Sequence, residues 1–106
     1  MKIELLYFDG CPSYQTALKY LEEVIKEEKL GVHVEMVKIE SDDEAQKNRF
    51  LGSPTVRVNG LDIEPSAQER GDFPMCCRVY FEAGKIMGWP SKELIRHAIK
   101  EAYEQT

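Results

Sequence analysis

The sequence predicts an α/β fold in which the elements follow the order β-α-β-α-β-β-α. Apolar segments typical of strands alternate with segments whose apolar residues recur at helical spacing. Two strands joined through a helix are expected to run parallel, whereas strands joined by a tight turn run antiparallel. We therefore expect one domain over residues 1–106, with a mixed four-stranded sheet and helices on both faces.

The first strand and helix are predicted from residues near the N-terminus. Residues 2–8 are apolar on both alternating faces, which is typical of a central strand that is covered on both sides. An amphipathic pattern then predicts a helix from about Pro12 to Lys29. Gly31 is placed to take the left-handed conformation that ends a helix.

A second strand and helix follow. Residues 32–39 alternate as a strand does, and Ser41 with Glu44 forms a capping box at the start of a short helix. This helix is expected to continue to about Leu51 and to stop at Gly52. Because a helix joins the first two strands, they should be parallel.

The second half of the chain supplies an antiparallel pair and the last helix. Residues 55–58 read as the third strand, and Asn59-Gly60 is a strong turn signal. Residues 78–81 form the next good strand pattern, so residues 61–63 form either a brief return strand or part of a long connection. An apolar stripe predicts the final helix: Leu94, Ile95, Ala98, Ile99 and Ala102.

Composition narrows the classes of function. The formal net charge of −5 disfavours nucleic acid and anionic membranes as partners, because both require a basic patch. Glu4 interrupts what would be the apolar part of a signal peptide, so we expect a cytoplasmic protein. In that reducing compartment, three cysteines favour catalysis or metal binding over structural disulfides.

Cys11 is the first candidate for chemistry. It follows the first strand and precedes Pro12, a residue suited to the first turn of a helix. At this position the unpaired N–H groups and the helix dipole favour the thiolate, which is both a nucleophile and a ligand for soft metals. His33 and His97 have no zinc-ligand spacing to a cysteine, so we expect no zinc site and no bound cofactor.

The segments 10–14 (Gly-Cys-Pro-Ser-Tyr) and 52–56 (Gly-Ser-Pro-Thr-Val), in this element order, resemble the thioredoxin-like superfamily. The resemblance implies that Pro54 is cis and lies against Cys11, and that Ser53 faces the substrate. Pro12 and Tyr14 would complete a site for a thiol- or disulfide-bearing substrate, either a protein or glutathione. Residues 9–12 and the later Cys77, Arg78 and Tyr80 further resemble a small group of bacterial thioredoxin-like proteins of poorly defined function.

The chain departs from the superfamily pattern at Tyr14, which stands where dithiol members carry a second cysteine. A resolving thiol would have to come from Cys76, Cys77 or an external molecule. In a plain thioredoxin topology the fourth strand starts away from Cys11, which argues against contact with these two cysteines. The long connection before them weakens that objection, and Arg78 favours Cys77, because its charge would stabilise a thiolate.

Three functions remain open from the sequence. The first is thiol-disulfide exchange with Cys11 as the nucleophile and Cys77 or Cys76 as the resolving thiol. The second is capture of a soft ion such as mercury, copper(I) or arsenite by two or three thiolates. The third is a redox-inactive module that offers the groove at Pro54 to a partner.

Overall fold

The computed structural model of the chain describes residues 2–10, 13–64, 78–82 and 84–104. The fold is α/β, as the sequence predicts. In chain order the elements are β1 (Ile3–Tyr7), α1 (Ser13–Glu27), β2 (Val34–Lys38), α2 (Asp42–Lys47), β3 (Thr55–Val58), β4 (Leu61–Asp62), β5 (Tyr80–Glu82), β6 (Lys85–Met87) and α3 (Lys92–Glu104).

The main sheet is mixed and has four strands in the order β2-β1-β3-β4. As predicted, β1 is parallel to β2; it is antiparallel to β3, which in turn pairs antiparallel with β4. The central position of β1 follows from its sequence, because Ile3 and Leu5 are buried on one face and Leu6 on the other.

The prediction that residues 78–81 form the fourth strand of this sheet is wrong. The fourth strand is Leu61–Asp62, the brief return strand that the sequence left as an alternative. Asn59 and Gly60 have φ values of +54° and +85°, the left-handed pair that a two-residue hairpin requires, so the chain reverses at once. Tyr80–Glu82 pairs instead with Lys85–Met87 in a separate two-stranded sheet.

Two helices end earlier than predicted, and neither uses the expected glycine. Lys29 and Arg49 take the left-handed conformation, with φ values of +55° and +53°. In both cases the next residue donates its amide back across the last turn, from Leu30 to the Ile25 carbonyl and from Phe50 to the Ala45 carbonyl. This is a Schellman ending, in which the apolar residue after the left-handed position turns toward the core. The demand to bury Phe50 therefore outweighs the cost of a side chain at positive φ.

The capping box at the start of α2 is confirmed. The Ser41 Oγ accepts a hydrogen bond from the Glu44 amide at 3.2 Å, and the Glu44 carboxylate accepts one from the Glu40 amide at 3.1 Å. The three acids of the first turn also lie at the positive end of the helix.

Helices cover both faces of the sheet, as predicted. On one face, α1 and α3 pack with β1 and β3 around a cluster that includes Leu21, Val56 and Ile99. On the other face, Ala45 of α2 packs with Leu6 and Phe50 in a smaller cluster. None of the helices in the described part of the chain has the length and apolar character needed to cross a bilayer.

Candidate functional site

The strand register brings two of the predicted site segments to one edge of the sheet. The pairing of β1 with β3 ends with Leu6 opposite Thr55. Residues 8–10, which follow β1, and residues 52–54, which precede β3, therefore extend from the same edge, here called the proline edge. The other end of this strand pair is closed by Asn59, whose amide donates to the Lys2 carbonyl at 2.7 Å.

The peptide bond between Ser53 and Pro54 is cis, as the resemblance implies. Both residues are buried, Ser53 completely. The Ser53 carbonyl accepts a hydrogen bond from the Arg78 amide at 2.8 Å, and the Pro54 carbonyl accepts one from the Tyr80 hydroxyl at 2.6 Å. The proline turn is thus held by main-chain and side-chain groups of one later segment.

This contact bears on the topological objection to Cys76 and Cys77, through the residue that follows them. The expectation was that the chain entering the strand after these cysteines starts at the edge away from Cys11. Arg78, which directly follows Cys77, instead donates its amide to Ser53 at the proline edge. Gly10 and Arg78, the described neighbours of Cys11 and Cys77 in sequence, therefore both lie at the proline edge.

The Arg78 guanidinium has a different partner from the one that the sequence suggested. It is buried and donates two hydrogen bonds to the Asp62 carboxylate, at 2.6 and 2.8 Å, and one to Glu64 at 2.8 Å. It also lies 4.4 Å from the centre of the Tyr80 ring. Two carboxylates thus already compensate the charge that was expected to favour a Cys77 thiolate.

Protonation in this cluster is set by burial and by these partners. Burial opposes the charged guanidinium, but the hydrogen bonds to Asp62 and the neighbouring charges raise the pKa of Arg78. For the Tyr80 phenol, in contrast, burial raises the pKa. Its hydroxyl therefore stays protonated and donates to the Pro54 carbonyl. The cluster therefore holds a fixed pattern of charges and donors around the proline turn.

The other described site residue, Tyr14, lies in the first turn of α1. Its ring stacks on Tyr7, with the ring centres 4.3 Å apart and the planes inclined by 27°. Both side chains are half-buried, so part of this aromatic pair faces solvent. The pair joins the end of β1 to the start of α1.

Gly10 has a packing reason to be glycine. A Cβ atom at this position would lie 2.6 Å from the Phe8 ring, and that ring packs edge-on against the buried Phe50 with centres 6.4 Å apart. We expect Gly10→Ala to lower the unfolding free energy by about 1–3 kcal/mol, because the Phe8 ring must move. Urea denaturation measures the change. Gly31→Ala is the matched control, since a Cβ there meets no atom within 4 Å, and its stability should be unchanged or slightly higher.

Several predicted site residues lie outside the described residues: Cys11, Pro12, Cys76 and Cys77. Among the residues that the structure describes, no group of three His, Cys, Asp or Glu side chains could hold a metal ion. Sequence reasoning missed the role of Asp62 and Glu64. A two-residue strand after a turn gives no sign that its acidic side chain is buried against an arginine sixteen residues later.

Comparisons with known proteins give one match. Residues 1–99 match the model of a family described as a domain of unknown function, DUF2703. Neither the curated proteins nor the solved structures contain a significant match to the chain.

Proposed function

Because the chain belongs to the DUF2703 family, whose description names no activity, we propose a function from its own site. The proposed function is thiol-disulfide exchange, with Cys11 as the nucleophile and Cys77 as the internal resolving thiol. The single observation that carries it is the hydrogen bond from the Arg78 amide to the Ser53 carbonyl. That bond ties the residue after Cys77 to the edge from which Gly10 leads into Cys11.

The sheet supports a thioredoxin-like arrangement of this site. Its order, β2-β1-β3-β4, has β1 and β2 parallel and the others antiparallel, and a cis proline precedes β3. Five residues, 8–12, connect β1 to α1, and Cys11 is one of them. The positive end of this fifteen-residue helix would stabilise the thiolate form of a cysteine at its start.

The proposed reaction proceeds by two displacements. The Cys11 thiolate attacks one sulfur of a disulfide RSSR′, forming a mixed disulfide with R and releasing R′S⁻. The Cys77 thiolate then attacks the Cys11 sulfur, forming the Cys11–Cys77 disulfide and releasing RS⁻. The substrate gains two electrons and the protein loses two, so an external thiol reductant must restore the reduced protein.

A buried donor of Arg78 offers further support. The Nε–H of Arg78 has no acceptor among the described residues, although the side chain is almost completely buried. An unpaired buried donor costs about 1–3 kcal/mol, so an acceptor that reaches this edge would recover that free energy. A thiolate at the proline edge is such an acceptor.

The test of this function is to map the disulfide formed when the reduced protein is treated with one equivalent of a small disulfide. Peptide mass spectrometry should show Cys11 linked to Cys77. Iodoacetamide labelling against pH should also give Cys11 a pKa below the ordinary value of about 8.5. A Cys76–Cys77 disulfide as the only product, or an ordinary pKa for Cys11, would contradict the proposal.

Capture of a soft ion is a second candidate, because the same approach of two thiol-bearing segments would form a two-sulfur site. Titration with Hg²⁺ or Cu⁺ should then show a site that a Cys76→Ser, Cys77→Ser double variant lacks. The redox-inactive alternative has less support. A groove at Pro54 requires exposed residues, whereas Ser53 and Pro54 are buried and both of their carbonyls accept internal hydrogen bonds.

A further inference from the structure

A cleft of about 520 Å³ lies between α1 and the connection from β6 to α3. Its volume falls within the range of small-molecule sites, about 300–1,000 Å³. The residues that line it come from both sides of the cleft: Tyr20, Glu23, Met87, Trp89, Ser91, Lys92 and Glu93. It adjoins none of the described residues of the proline edge.

The charges that line this cleft are unequally compensated. The Lys92 ammonium is paired with the Glu27 carboxylate, and the Ser91 hydroxyl donates to Glu82. Within the described part of the chain, Glu23 and Glu93 make no ion pair. Glu93 lies in the first turn of α3, where the helix dipole partly compensates its charge, and Glu23 lies on α1. The cleft is therefore lined by two carboxylates without a cationic partner among the described residues, one on each side, and it favours a cation.

Aromatic surface lies beside these carboxylates. Tyr20 and Trp89 are half-buried and pack against the main core, so the core restricts the movement of both rings. Aromatic faces attract cations through their quadrupole, most strongly for tryptophan, and the effect increases when water is excluded. Met87 adds an apolar, polarizable surface that suits an alkyl group.

We propose that this cleft binds a small organic cation of the alkylammonium class. The ammonium group would lie between the Glu23 and Glu93 carboxylates, with its alkyl substituents against Tyr20, Trp89 and Met87. A neutral molecule of the same shape would keep the apolar contact and lose the attraction to the carboxylates and the rings. This inference does not depend on the thiol chemistry proposed above.

The test uses the full chain and choline as the probe. Trp89 is the only tryptophan in the sequence, so its fluorescence reports on the cleft directly, and titration calorimetry provides a second measurement. We expect saturable binding of choline, and binding at least about tenfold weaker for 3,3-dimethylbutan-1-ol, its neutral isostere. Equal affinities, or no saturable signal by either method, would overturn the proposal.

Matched variants locate the site. Glu23→Gln should weaken choline binding by about tenfold, because it removes one of the two carboxylates. Glu22→Gln makes the same charge change at an exposed neighbour on α1 that does not line the cleft, and should leave the affinity unchanged. Equal losses in the two variants would show only a general effect of the protein's negative charge, and would overturn the site.

Discussion

An Asp62→Ala variant is expected to lose about 3–5 kcal/mol of unfolding free energy, because it leaves the Arg78 charge buried with only Glu64 to compensate it. Asp62 and Arg78 are both almost completely buried, at 4% and 2% side-chain exposure, so water cannot replace the lost partner. The loss should appear in urea denaturation as a lower midpoint with an unchanged slope.

The control for this prediction is Asp9→Ala. Asp9 also forms a short ion pair, with Lys38 at 2.7 Å, but both side chains are exposed. Exposed pairs contribute about 0–1 kcal/mol, since solvent screens them and ordering two side chains costs entropy. Similar losses in the two variants would show that burial does not increase the contribution of the Arg78–Asp62 pair to the unfolding free energy.

The second large effect concerns the thiols. Cys11→Ser should reduce the rate of exchange with a small disulfide to that of the uncatalysed reaction, because the nucleophile is lost. Cys77→Ser should retain the first displacement and accumulate the mixed disulfide on Cys11, which intact-mass spectrometry detects. Cys76→Ser is the matched control, because its sulfur is one residue further from the Arg78 amide that is fixed at Ser53.

The opposite pattern is equally informative. If Cys76→Ser accumulates the adduct and Cys77→Ser does not, the resolving thiol is Cys76. If the Cys11→Ser protein exchanges as fast as the unchanged protein, Cys11 is not the nucleophile and the proposed function fails.

Local features of this fold could be predicted from the sequence, because neighbouring residues determine them. The Ser41–Glu44 capping box depends on groups three residues apart, and the central position of β1 follows from apolar residues on both of its faces. Asn59 and Gly60 likewise favour the positive φ values that their two-residue turn requires. In these places local chemistry and the final structure agree.

The features that sequence reasoning missed depend on contacts between distant residues. Gly31 and Gly52 are good local endings for a helix, yet the chain turns earlier, at Lys29 and Arg49. Likewise, the charge of Arg78 next to Cys77 suggested a thiol partner, whereas the fold supplies Asp62, which lies sixteen residues away in sequence. Pairings of this kind are fixed by which side chains the packed core excludes from water.

Arg78 connects two parts of the molecule through different groups, its amide to the proline turn and its guanidinium to β4. Under the proposed chemistry, oxidation of the neighbouring Cys77 and folding of the chain are therefore linked in a thermodynamic cycle. The total free energy is the same whether the disulfide forms before or after folding. If a Cys11–Cys77 disulfide stabilises the folded state by a given free energy, folding stabilises the disulfide against reduction by the same free energy. A variant that loosens Arg78 should consequently make the oxidised protein easier to reduce, although no cysteine has changed.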